Sequence, residues 1–156
     1  MLSPKQYEAI GRLALAFNGI EQMLDMYLPD MLGNPEVSLA FALAERATST
    51  ARKIEFLRKV LQAILRDRPP VQPEISAVLA LLERAKILSQ RRNEYIHAFA
   101  FVDYEKRKRM LRTKNQLIEC NEQEIMDLAN EADDLRMYLS QSLHKLQVLL
   151  MKMRSG

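Results

Sequence analysis

An all-α architecture, an antiparallel bundle of four to five helices with a small β-hairpin or irregular insert after the fourth helix, is what this 156-residue sequence predicts. Three observations carry that prediction. Apolar residues recur every three to four positions over several long stretches, which is the signature of helices with one buried face. Capping residues stand at the starts of those stretches. The 48% apolar and 28% charged content falls in the range of one ordinary globular domain, so residues 1–156 are read as a single unit.

Ser3-Pro4-Lys5-Gln6 predicts the first helix start, with Ser3 as cap, Pro4 at the first helical position and Gln6 placed to reach back. The stripe Ile10, Leu13, Phe17, Ile20, Leu24, Tyr27, Leu28 and Met31 then runs for about 28 residues, and Gly33 is a natural stop. Pro35 and Glu36 open a shorter helical piece, Val37 to Glu45. Thr48-Ser49-Thr50 offers caps for the next helix, which carries Ile54, Leu57, Leu61 and Leu65 inward and ends near Arg66. Arg68 to Pro73 reads as a loop. The following helix begins near Glu74, carries Ile75, Val78, Leu82, Ala85 and Leu88 on one face, and ends close to His97.

Two aromatic or β-tolerant runs, Ala98 to Tyr104 and Arg109 to Thr113, flank the charged Glu105-Lys106-Arg107-Lys108 and predict a hairpin. No Asn-Gly or Asp-Gly marks its turn, so a distorted helix is the alternative there. Asn121 and Glu124 form a second capping-box pattern. Ile125, Leu128, Ala132, Leu135, Leu139, Leu143, Leu146 and Leu150 then line a final helix of about 30 residues. Nine methionines and no tryptophan describe a soft core, and the methionines are read as filling.

Composition excludes several function classes. One cysteine, Cys120, cannot form an internal disulfide, and two histidines cannot build a Cys/His metal cluster. Four glycines cannot supply a Gly-rich phosphate loop, so no nucleotide cofactor is implied. No apolar run approaches the roughly 18–20 residues that span a bilayer, and the N-terminal residues lack an export signal's pattern; no membrane partner and a cytoplasmic location are expected.

The net charge of +3 is unevenly spread. Residues 84–114 carry +7, leaving −4 on everything else. Such asymmetry favours a polyanionic partner, with Arg91, Lys106, Arg107, Lys108, Arg109, Arg112 and Lys114 as the candidate contacts. A solvated basic loop is the bland reading of the same run.

The apolar stripe of the fourth helix passes from Leu88 to Arg92 and on to Ile96, which puts a guanidinium on a face expected to be buried. Leaving such a charge unpaired costs about 3–5 kcal/mol, so either a carboxylate meets it or the site is open. Glu21, at the edge of the first helix's stripe, is the candidate partner for a structural ion pair. Asn93 and His97 are four apart and share a helical face, so Asn93 could orient the imidazole. Arg92 and His97 are five apart, about 140° around an ideal helix, and could flank a group as large as a phosphodiester.

Arg92-Asn93-Glu94-Tyr95-Ile96-His97 resembles the signature of the HEPN superfamily: an arginine, a polar residue, and a histidine a few positions later at the end of a helix. The layout is similar along the whole chain: a long first helix with Gly11-Arg12-Leu13 and Ile20-Glu21, the motif late in a central helix, and a long last helix. The chain departs from the pattern at Ala98, where many members have glycine. It departs again at Phe99, where one toxin branch has the tyrosine that its nucleotidyltransferase antitoxin modifies.

The resemblance implies metal-independent RNA cleavage, in which a 2′-hydroxyl attacks the adjacent phosphorus, within toxin–antitoxin or antiviral defence systems. It also implies a homodimer whose two motifs share one cleft, with an antitoxin or nucleotidyltransferase as partner. The residue chemistry fits. An imidazole whose unperturbed pKa is about 6.5 exchanges protons at neutral pH, which suits His97. Arg92 offers a planar cationic fork for phosphate oxygens, and Asn93 would hold His97 or the ribose. Two readings stand beside the ribonuclease: a non-catalytic dimeric interaction module of the same type, and a nucleic-acid-binding protein that uses the basic hairpin. His144, Cys120, Tyr95 and Tyr104 are assigned to packing or solvent.

Overall fold

A computed structural model describes residues 2–31, 49–103, 108–112 and 116–155. Among these residues the chain runs α1 (Pro4–Met31), α2 (Thr50–Asp67), a 3-10 turn (Pro69–Val71) and α3 (Gln72–Ile96). It continues through β1 (Phe99–Asp103), β2 (Lys108–Arg112) and β3 (Leu117–Glu119) into α4 (Glu122–Ser155). The short helix expected over Val37 to Glu45 lies outside the described residues.

The first helix starts as its residues dictate. Ser3 and Gln6 form a reciprocal capping box: the Gln6 amide donates to Ser3 Oγ at 3.2 Å and the Ser3 amide to Gln6 Oε1 at 2.9 Å. Gln6 also does something the local pattern does not announce. It is buried, and its Nε2 donates at 2.7 Å to the carbonyl of Cys120, which ties the start of α1 to the segment entering α4. The Cys120 side chain is itself buried.

Each helix buries its apolar stripe against the others. Leu13, Phe17, Ile20 and Leu24 of α1 meet Leu57 and Leu61 of α2, Ile75, Val78 and Leu82 of α3, and the leucines 135, 139, 143 and 146 of α4 in one core. Full burial of each such side chain contributes about 1.5–3 kcal/mol, which makes this interior the source of the fold's stability. α1 packs most extensively against α4, and α3 lies against both α4 and α2. Gly19 belongs to the α1–α4 contact: a Cβ there would stand 2.8 Å from Arg136 Cδ.

The helix boundaries depart from expectation at two places. Arg68 to Pro73 is not all loop, because Pro69–Val71 forms a 3-10 turn and α3 begins at Gln72. Pro73 then sits in the first turn, where a missing N–H breaks no intrahelical bond. At the start of α4, Asn121 Oδ1 accepts from the amides of Gln123 and Glu124, but the box is one-sided. The Asn121 amide goes to the Glu119 carbonyl instead, so the Glu124 side chain is free to engage elsewhere.

Phe99–Asp103 and Lys108–Arg112 form the antiparallel pair that the hairpin reading expected, and a third strand extends it in the order β1-β2-β3. The register pairs Phe99 with Arg112, Phe101 with Met110 and Asp103 with Lys108, then Arg112 with Leu117 and Met110 with Glu119. Leu111 is buried and its partner Ile118 packs on the core, which fixes the inner face of the sheet.

No helix among the described residues is long and apolar enough to cross a membrane.

Candidate functional site

The last turn of α3 and the residue that closes it carry the candidate chemistry. The helix ends because His97 leaves helical geometry, with φ −100° and ψ 8°, while its amide still donates to the Asn93 carbonyl at 3.2 Å. The His97 side chain is exposed. A titratable ring thus stands in solvent, immediately past the helix that carries Arg92 and Asn93.

Arg92 is half-buried, as its place on the apolar stripe demands, but its partners among the described residues include no carboxylate. The guanidinium lies over the ring of Phe17, 5.8 Å from the centroid, and Nη1 donates to Asn93 Oδ1 at 2.9 Å. Its Nε is buried with no hydrogen-bond partner. The π face of Phe17, at the centre of the core, replaces the anion that was expected; such a contact is worth about 0.5–2 kcal/mol.

Two expectations are corrected by this arrangement. Glu21 does not pair with Arg92: its Oε1 accepts from Thr50 Oγ1. Thr50 is the buried first residue of α2, where its hydroxyl needs an acceptor and the positive end of the helix favours a carboxylate nearby. The Asn93 side-chain oxygen accepts from Arg92 rather than from the imidazole. Asn93 orients the arginine, and only its main-chain carbonyl reaches His97.

A second layer lies behind the motif. Arg91 Nη2 pairs with Glu124 Oε1 at 3.5 Å, both side chains being nearly half exposed. Tyr95 is buried on the same turn, and its hydroxyl is pushed well above the ordinary tyrosine range, chiefly by burial and then by hydrogen bonding to, and the charge of, Glu124. It therefore stays protonated at neutral pH and well into the alkaline range. Glu124 is the residue that sequence reasoning missed. Its spacing from Asn121 marks it only as a capping-box residue, and the unused half of that box is the one hint that it serves another element.

The basic candidates divide. Arg112 is exposed at the end of β2, in register with Phe99, and Lys108 and Arg109 hold positions on the same strand. Lys106, Arg107 and Lys114 lie outside the described residues, as does Tyr104. His144 is exposed on α4. Among the described residues no group of three His, Cys, Asp or Glu side chains is placed to hold a metal ion.

No family model, curated protein or solved structure matches this chain.

Two clefts lie elsewhere on the surface. A groove of about 420 Å³ runs between α1 and α4 past Gly19, Met26, Arg136 and Met137, and one of about 300 Å³ is lined by Val60, Ile64, Arg68 and Leu150. Neither includes Arg92 or His97.

Proposed function

We propose that this chain is a metal-independent endoribonuclease of the HEPN type, acting as a homodimer in toxin–antitoxin or antiviral defence. The observation that carries the reading is the exposed His97 directly after the turn in which Arg92 is held by Phe17 and Asn93. A half-buried cation fixed on two sides presents its remaining N–H groups at small entropic cost, and that suits a phosphate whose charge grows in the transition state. His97 accepts the 2′-hydroxyl proton, the oxygen attacks the adjacent phosphorus, and the bond to the 5′-oxygen breaks, leaving a cyclic phosphate and a 5′-hydroxyl. The departing oxygen needs a proton. The motif holds one imidazole per chain and so one proton-transfer group, and a two-fold dimer supplies the second.

A non-catalytic dimeric interaction or nucleic-acid-binding module is the second reading. It is favoured by the engagement of Asn93 with Arg92, which leaves the imidazole of a single chain without an orienting side chain from that position.

RNA incubated with the protein in excess chelator separates the two. Cleavage that leaves cyclic phosphate ends and is abolished in both His97→Ala and Arg92→Ala supports the nuclease. Binding without cleavage supports the module.

A further inference from the structure

The smaller of the two clefts, about 300 Å³, opens where the ends of α1, α2 and α4 meet. Arg68 stands before α3 and His97 after it, so the length of that 25-residue helix, about 37 Å, separates this cleft from the candidate nuclease turn. Met31 and Leu150 line it and are buried, and Val60 and Ile64 line it and are partly buried. Arg68 is the one cation among its described lining residues. It is half-buried, and its Nη1 is enclosed with no hydrogen-bond partner. The main chain holds the arginine in place: its amide donates to the Ile64 carbonyl at 2.8 Å, and its carbonyl accepts from the amide of the buried Val71 at 3.2 Å. A guanidinium N–H withdrawn from water and left without an acceptor is unfavourable, and such an orphan asks for an explanation. Apolar walls with one unsatisfied cation match a ligand that is apolar along most of its length and ends in an anion. Asp67 lines the same cleft and is exposed. Its carboxylate balances the charge of Arg68, which favours a singly charged headgroup over a doubly charged phosphate.

We infer that this cleft binds a monocarboxylate with a medium-length alkyl chain, the chain lying against Met31, Ile64 and Leu150 and the carboxylate accepting from Arg68. The volume stands at the small end of ligand pockets, which sets the chain length. A turn of the Arg68 side chain, the common adjustment as a ligand enters, presents Nη1 to the incoming oxygen. The site is independent of the ribonuclease reading, since it shares no residue with Arg92, Asn93 or His97.

The test uses the full chain, labelled with ¹³C at the methionine methyls and titrated with octanoate, decanoate and dodecanoate below their micellar concentrations, with the alcohols of equal chain length as uncharged controls. The Met31 methyl signal, assigned by its loss in Met31→Leu, should shift with at least one of the acids. Calorimetry should show that acid bound at least about tenfold more tightly than its alcohol, with Arg68→Gln removing most of the difference and leaving the alcohol within about twofold. Ala63→Trp, at an exposed position of the lining, should fill the cleft and abolish binding of both. Binding of none of the three acids, equal affinity for acid and alcohol, or an Arg68→Gln protein that binds like the unsubstituted chain would overturn the site. So would shifts confined to Met26 and Met137, which line the other groove. Tighter binding of decyl phosphate than of decanoate would overturn the choice of a carboxylate. Should Arg68→Gln fail to fold by circular dichroism, the Met31 shift and the acid-to-alcohol ratio of the unsubstituted chain decide. RNA cleavage, present or absent, alters none of these outcomes.

Discussion

Arg92 is the residue on which the site turns, because its environment is chosen for orientation rather than for charge neutrality. A buried ion pair would have consumed the fork, whereas a ring beneath it and one amide beside it leave N–H groups available. The distinction is measurable. Arg92→Lys keeps the charge but loses the planar fork and the hydrogen bond to Asn93, so cleavage should fall by about 10²–10³ while stability changes by less than about 1 kcal/mol. A urea melt and an initial-rate assay on the same preparation check both. Tyr95 gives a prediction of a different kind. Its folded-state hydroxyl is held above the ordinary value by burial first and by Glu124 second, so the native state keeps a proton that the unfolded chain loses above about pH 10. Stability from this group is fully present below that pH and declines as pH rises further. Urea midpoints at pH 9 and 11 should therefore drop more in the parent chain than in Tyr95→Phe.

At the scale of elements, the tie between α1 and α4 matters most, because one side chain caps the first helix and satisfies a carbonyl at the entrance to the last. Gln6→Ala removes half of the capping box and the hydrogen bond to the Cys120 carbonyl, for a combined cost of about 1–3 kcal/mol in a urea melt. The local half of that arrangement was legible in the sequence, since Ser3 and Gln6 stand three apart before an apolar run. The distant half was not, because nothing in the spacing of Gln6 indicates a partner more than a hundred residues away. The same division recurs along the chain. Periodicity delimited α1 and α2 closely, but it placed the start of α3 after Pro73, although proline fits the first turn of a helix. β3 is not legible in the sequence because three residues are too few to show alternation. At the site, the stripe through Leu88, Arg92 and Ile96 correctly put Arg92 at the edge of the core. It could not say that Phe17 rather than Glu21 would lie beneath it, since both occupy neighbouring turns of α1.

For the whole molecule, the central claim is that a helical bundle displays one fixed cation and one solvent-exposed imidazole to an RNA linkage, and that two copies complete the chemistry. The bundle accounts for the display: α3 is anchored along its length by α2 and α4, so its terminus delivers His97 to the surface while Arg92 remains seated on the core. The uneven charge supports the proposed polymer, because a segment of +7 in a chain of net charge +3 favours a polyanionic partner. End-group analysis of RNA incubated with the protein in excess chelator tests this most directly. The account predicts 2′,3′-cyclic phosphate and 5′-hydroxyl ends, lost in His97→Ala and Arg92→Ala proteins that remain folded. Undegraded RNA with the unsubstituted protein, or cleavage that persists when His97 is removed, would contradict it.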